Sequence, residues 1–253
     1  MSSIIEVIER RLETNYVRNS FNFLENGDNL GQILSLRELR NEALNISIFL
    51  PPGATVLIFL PQGLPFIKAF FACLYAGGIA VPGSLPTKKR GLEKINKIVK
   101  DAEIQLGITN RNTLANLKKW LGEDFSKIGI KWIFIEDFEG KIEKNLNCSE
   151  FTKPNQLAFL QYTSGSTDQP KAVKITHENI IANSTIIREC FQNTSESRSV
   201  CWLPSFHDMG LIDGVIQPIF SDFPAVLMSP THFLQRPARW LKAISQHKAT
   251  YVL

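Results

Sequence analysis

The sequence predicts an α/β fold of stacked, mostly parallel sheets flanked by helices, and three observations carry that expectation. Short apolar runs of strand character, at 55–60, 79–81, 104–109, 130–135, 157–160, 200–203 and 225–228, alternate with stretches of helical periodicity. The runs are apolar almost throughout, as strands covered on both faces require. A hydroxyl-rich loop follows one of these strands, at the carboxyl end where open α/β sheets place their ligands.

Ile4, Ile5, Ile8 and Leu12 recur at helical spacing and predict an amphipathic helix over the first dozen residues. Phe21 and Phe23 alternate with polar residues, Asn26-Gly27 offers a turn and Ile33-Leu34 resumes the apolar pattern, which together predict a hairpin. Ser35 and Glu38 form a capping-box signature for a helix with Leu36, Leu39, Ala43 and Ile46 on one face, stopped by Pro51-Pro52-Gly53. A βαβ unit follows, with LPFIKAFFACLYAGG as the helix between strands 55–60 and 79–81. Helices around Leu92, Ile95 and Val99, and around Leu114 and Leu117, continue the alternation.

Residues 136–155 turn polar and lose periodicity, so the expected division is into subdomains 1–153 and 154–253. Thr176 can cap a helix that starts at His177, with Glu178 at the positive end of its dipole and Ile180, Ile187 and Phe191 as its buried stripe. His177 is assigned to that cap, and His232 and His247 to the surface. Helices near 211–220 and 237–246 complete the pattern. Trp202 and Trp240 read as core, and Arg236 and Arg239, flanking Pro237, as anchors of a helix.

With 253 residues, 44% hydrophobic and 21% charged, the chain can bury one substantial core. Its net charge of +4 is dispersed among acids and makes no nucleic-acid stripe; Lys88-Lys89-Arg90 reads as a solvated loop. Cys73, Cys148, Cys190 and Cys201 form neither a CxxC pair nor a disulfide framework, so reduced thiols and a cytoplasmic location are expected. Glu6, Glu9, Arg10 and Arg11 exclude a secretory signal, and no apolar run approaches the roughly 20 residues of a membrane span.

The chemistry concentrates in LAFLQYTSGSTDQPKAVKITHENIIAN, residues 157–183. Thr163, Ser164, Gly165, Ser166 and Thr167 let backbone N–H groups and hydroxyls converge on an anion, and Lys171 follows as a mobile charge able to reach a terminal phosphate. A plain Ser/Gly hairpin loop has the same composition. The P-loop of NTPases is excluded, because GxxxxGK is absent and Ala172 stands where a magnesium-binding Ser or Thr would follow the lysine.

This stretch resembles the phosphate-binding signature of the adenylate-forming enzymes, which activate carboxylic acids as acyl-adenylates. GLPFIKAFFACLYAGGIAVP, CWLPSFHDMGLI and FLQRPARWLKAIS resemble further segments of the fatty acyl-AMP ligases within that superfamily, so the resemblance runs from about Phe21 to the last residue. It implies that Thr163, Ser164, Gly165, Ser166 and Thr167 wrap the β- and γ-phosphates of ATP with Lys171 beside them, and that Mg2+ accompanies the nucleotide. It implies further that His207 orients the substrate carboxylate, that the substrate is a fatty acid, and that the acyl group passes to an acyl carrier protein or a polyketide synthase carrier domain.

Three departures from the family qualify these expectations. The family's large domain continues into an adenine-binding block and a ribose-binding aspartate, followed by a small C-terminal domain with a lysine that promotes adenylation; none of these lies within the 253 residues. The expectation is therefore the N-terminal part of a large domain, with an unpaired apolar edge near 249–253 and impaired or absent turnover. A non-catalytic nucleotide- or acyl-binding remnant and one half of a split enzyme are the alternatives. Asp168 stands where the family usually has glycine, and a carboxylate at about 4 Å from phosphate charge costs about 4 kcal/mol per pair at an effective dielectric of about 20. Asp213 and Asp222 also replace usual glycines and are expected to hinder burial of the apolar segments around them.

Overall fold

A computed structural model of the chain describes residues 3–14, 18, 20–122, 125, 128–138, 153–163 and 170–252. The strands are β1 (Ser20–Glu25), β2 (Asn29–Ser35), β3 (Thr55–Ile58), β4 (Ile79–Pro82), β5 (Leu106–Thr109), β6 (Lys131–Phe134), β7 (Leu157–Thr163), β8 (Lys171–Thr176), β9 (Ser199–Cys201), β10 (Ala225–Leu227) and β11 (Tyr251–Val252). They form a six-stranded sheet ordered β6-β5-β3-β4-β7-β8 and a five-stranded sheet ordered β11-β9-β10-β1-β2. Every pairing is parallel except at one edge of each sheet, where β8 and β2 run antiparallel to β7 and β1. Both sheets draw strands from both sides of residues 139–152.

The first helices are α1 (Ile4–Glu13), α2 (Leu36–Ser47), α3 (Leu64–Tyr75), α4 (Lys89–Asp101) and α5 (Arg111–Leu121). Ser3 caps α1, its hydroxyl accepting from the Glu6 N–H at 3.1 Å, and the helix buries Ile4, Ile5, Val7 and Ile8. The predicted capping box of α2 is complete: the Glu38 N–H donates to Ser35 Oγ at 3.2 Å and the Ser35 N–H to Glu38 Oε2 at 2.8 Å. Asn26 (φ 51) and Gly27 (φ 75) make the hairpin turn in the left-handed region that Asn and Gly tolerate best.

Helix α3 is apolar nearly all round, the pattern of a helix with packed neighbours on every side. One core cluster joins it to both sheets, through Val56, Ile58 and Ala80 of the larger and Phe21, Leu34 and Leu227 of the smaller. Phe70 sits within it, edge-on to Phe71 and Phe159 at centroid distances of 5.4 and 5.7 Å. The one charge on α3, Lys68, reaches out to Glu42 of α2 at 2.5 Å. On the other face of the larger sheet Leu57 and Phe59 pack against Leu92 and Ile95 of α4 and Leu114 and Leu117 of α5. Adjacent residues of β3 thus feed different cores, which is why its sequence is apolar without alternation. A third, smaller cluster backs the other sheet, with Trp202 stacked on Phe233 at 3.8 Å.

The remaining helices are α6 (His177–Cys190), α7 (Asp208–Leu211), continued by a π turn at Ile212–Ile216 into α8 (Gln217–Ser221), then α9 (Pro230–Gln235) and α10 (Ala238–His247). Four expectations are corrected here. Thr176 caps α6 in a reciprocal pair with Asn179, at 3.2 and 3.1 Å, and His177 takes no part. Its side chain is instead buried, with neither ring nitrogen partnered among the described residues, and burial pushes its pKa down to about 4. The buried stripe of α6 is His177, Ile180 and Ser184, set by its packing on α8, where Gln217 Nε2 donates to the Ser184 carbonyl at 3.3 Å; Phe191 lies beyond that contact and is 59% exposed.

Asp213 and Asp222 do not obstruct packing, because each has found a partner. Asp222 takes the left-handed position after α8 (φ 60) that a glycine would otherwise fill, and pairs with Arg11 of α1 at 3.3 Å. Asp213 accepts a hydrogen bond of 2.5 Å from the Tyr251 hydroxyl, while burial pushes its carboxyl pKa up. Tyr251 and Val252 pair with β9 as the edge of the smaller sheet. Arg239 bears out its anchoring role, joining Lys242 on Asp28 of the β1–β2 turn at 2.9 and 3.1 Å.

Two outcomes follow. Phe70→Ala should cost about 3–5 kcal/mol in urea unfolding, the range for truncating a fully buried aromatic. The unfolded state takes up the His177 proton near pH 6.5 and the folded state near 4, so the stability this residue confers is complete above pH 6.5 and is lost as pH falls toward 4. Unfolding free energies at pH 7 and pH 5 should therefore differ more for wild type than for His177→Leu, by about 2 kcal/mol.

Candidate functional site

Strand β7 carries the sequence-predicted loop at its carboxyl end. Thr163 closes the strand and is directly paired with Lys171, the first residue of β8, so the antiparallel ladder holds these two exposed residues side by side. Ser164, Gly165, Ser166, Thr167 and Asp168 lie outside the described residues.

His207 approaches the same region from the far side of the sequence. Its N–H donates to the Pro204 carbonyl at 3.0 Å and its carbonyl accepts from the Leu211 N–H at 2.9 Å, which makes it the N-cap of α7. The ring donates from Nδ1 to Asp208, whose carboxylate also accepts from the Met209 N–H at 2.8 Å. This turn is tight for a reason the sequence motif hides: a Cβ on Gly210 would lie 2.1 Å from the Pro204 carbonyl oxygen and 2.8 Å from that of Leu203. Only glycine allows the helix to start that close to the incoming chain.

The two parts meet in one cavity of about 810 Å³, lined by Thr163 and Pro170, by Phe206, His207 and Asp208, and by α4 with the segment leading into it. Lys171 sits one residue from that lining. The α4 wall is cationic: Lys88, Arg90, Lys94 and Lys97 line the cavity, against one acid, Glu93. Lys88-Lys89-Arg90 is exposed as expected but is not a loop: it is the N-cap and first residues of a helix, with no acid in its first turn and no side-chain cap. Cations at the positive end of a helix dipole are unfavourable by about 0.3–1 kcal/mol each. Lysines and arginines outnumber acids on this wall of the cavity.

Tyr162 and Gln161, neighbours on β7, point to opposite faces and brace the two walls. The Tyr162 hydroxyl donates to Asp101 at the end of α4 at 2.5 Å, and burial raises its pKa. Gln161 Nε2 donates to the Phe206 carbonyl at 3.1 Å, and its Oε1 is buried without a partner among the described residues. Gln161 and Gly210 were missed as site residues in the sequence. Gln161 is signalled by a polar side chain in an otherwise apolar strand, Gly210 by a glycine within the first turn of a helix.

Among the described residues no group of three or more His, Cys, Asp or Glu is arranged to hold a metal ion, and no helix is long and apolar enough to cross a membrane. Cys73 and Cys201 are buried, and burial raises both thiol pKa values, that of Cys201 to about 11. Neither is a nucleophile for this site.

A family model of AMP-binding enzymes matches residues 18–253. The medium-chain-fatty-acid acyl-carrier-protein ligase JamA of Moorena producens is 37% identical over 258 residues, which span 99% of this chain and 43% of JamA. The crystal structure of a fatty acid AMP ligase from Legionella pneumophila superposes with a TM-score of 0.86 at 35% identity, over 100% of this chain and 44% of that one. So does a fatty acyl-adenylate ligase from the same organism in complex with acyl adenylate and pyrophosphate, at 33% identity, a TM-score of 0.86 and coverage of 100% and 44%. The chain thus spans less than half the length of these relatives.

The Gly210 contact is open to direct test. Gly210→Ala should lower stability by about 1–3 kcal/mol through overpacking, read from chemical denaturation, and an unchanged midpoint would show that the backbone does not pass that close.

Proposed function

The chain belongs to the AMP-binding enzyme family, and from that premise we propose that its cavity takes ATP with magnesium and that the site serves the activation of a fatty acid as its acyl-adenylate. The observation that carries this reading is the cation-lined cavity of about 810 Å³ shared by Thr163 and the His207–Asp208 turn. Its volume suits a nucleotide, and its charge suits a polyanion.

Adenylation asks little covalent chemistry of a protein. A carboxylate attacks the α-phosphate in line, pyrophosphate leaves, and the protein holds the reactants in place and neutralises the spreading charge. In this reading Thr163, Ser164, Gly165, Ser166 and Thr167 donate N–H and hydroxyl hydrogens to the β- and γ-phosphates, Lys171 and the α4 cations supply positive charge, and His207 orients the fatty acid carboxylate. Magnesium bound with the triphosphate supplies further charge neutralisation. The donor set fits such an ion: it takes phosphate oxygens and water with one or two carboxylates, and Asp208 and Glu93 line the cavity.

The acceptor we propose is the thiol of an acyl carrier protein or a polyketide synthase carrier domain, supported by the carrier-protein ligase named among the relatives. A cytoplasmic location, where ATP and magnesium are at hand, goes with the same reading. Asp168 favours a second one, nucleotide binding with little turnover, because its carboxylate adds negative charge beside the phosphates.

Thermal-shift titration with ATP and magnesium tests both. Wild type should be stabilised slightly, Asp168→Gly by several degrees at saturation, and Lys171→Ala not at all. Equal, strong stabilisation of wild type and Lys171→Ala would overturn the phosphate assignment. Pyrophosphate exchange with a fatty acid then separates turnover from binding alone.

A further inference from the structure

Gln161 is a polar residue where the fold asks for an apolar one. Its neighbours on β7 are buried hydrophobics, Phe159 in the core shared with α3 and Leu160 and Tyr162 in the core beneath α4. At 8% exposure it is itself buried. A buried amide that leaves its carbonyl unmatched is destabilising, a cost that leucine at the same position would avoid. One half of that amide has a use within the protein, since Nε2 donates to the Phe206 carbonyl, 45 residues away in sequence, at 3.1 Å. The other half, Oε1, lies buried in a residue that lines the cavity, with no partner among the described residues.

The location of that bond gives it its meaning. Gln161 stands two residues before Thr163, and Phe206 stands one before His207. Inside the 204–211 segment the bonds are local, from the His207 N–H to Pro204, from the His207 ring and the Met209 N–H to Asp208, and from the Leu211 N–H to His207. Those bonds fix the shape of the turn but not its place relative to β7. The Gln161 amide links the turn to the strand.

We propose that Gln161 is a positioning residue: it holds the His207–Asp208 turn at a set separation from the strand end that carries Thr163, so that the carboxylate-orienting and phosphate-binding parts of the site keep their register. This rests on the nucleotide reading above for its consequence, and on geometry alone for the link itself. Glutamine suits the task because its side-chain N–H reaches the turn from a buried position on the strand.

The test uses the whole chain and two variants. Gln161→Leu removes the donor and keeps an apolar strand; Gln161→Glu presents a carboxylate that can donate to the Phe206 carbonyl only when protonated. Amide hydrogen exchange across residues 205–211, without ligand, should be about tenfold faster than wild type in both at pH 8, the loss of one hydrogen bond. Against wild type at each pH, Gln161→Glu should recover as pH falls to 6, and Gln161→Leu should not. Calorimetry with ATP and magnesium should show affinity about tenfold weaker in both variants at pH 8, with the same recovery for Gln161→Glu.

Unchanged exchange in both variants would overturn the link, as would faster exchange in Gln161→Glu that does not recover, which marks a packing defect. Faster exchange with unchanged ATP affinity would overturn the positioning role. Failure of wild type to bind ATP would instead remove the nucleotide reading, and exchange with its pH recovery would still decide whether Gln161 sets the turn.

Discussion

Burial of α3 on every side is the constraint on which the rest of the structure depends. A helix reading LPFIKAFFACLY has no polar face to give to water, so it is stable only with packed layers around it. The larger sheet, the smaller sheet and the amphipathic helices α1 and α2 all contribute to the core that encloses it. Its single charge survives by reaching α2. The position of each sheet relative to the other, and therefore of the strand ends that frame the cavity, follows from what encloses this one helix.

From that arrangement the site inherits its geometry. Parallel strands present their carboxyl ends on one side, and β7, seated between β4 and β8, brings Thr163 there. The loop after β4 leads into α4, whose cations line the same space. The long connection through α6 and β9 returns the chain to bring His207 alongside. Three segments far apart in sequence thus share one cavity, and the side chains that couple them, Gln161 and Tyr162, are adjacent residues that project to opposite faces of β7.

Much of this was legible in the sequence, because the signals are local. Capping of α2 needs only Ser35 and Glu38, the hairpin only Asn26-Gly27 between apolar runs, and the parallel sheet only apolar runs without alternation. The loop and the His-Asp turn could be read as motifs, and their resemblance to the family carried the expected chemistry. What stayed hidden depends on partners distant in sequence. His177 looks like a cap residue until packing buries its ring; Lys88-Lys89-Arg90 looks like a loop until it opens a helix that lines a cavity. Asp213 and Asp222 look disruptive until Tyr251 and Arg11 arrive from opposite ends of the chain. Gln161 was passed over because the residue it serves lies 45 positions away.

The parallel pairing of Phe21 with Ala225, and of Phe23 with Leu227, carries a cost in time as well as in topology. The hairpin of β1 and β2 has its own turn and can close early, yet the edge it offers to β10 has to wait for some two hundred further residues to be synthesised. Through that interval β1 is an unprotected strand edge able to pair with other chains. Helix α3 emerges long before β9 and β10 of the sheet that helps enclose it, so its apolar surface stays uncovered on that side of the nascent chain until those strands are synthesised.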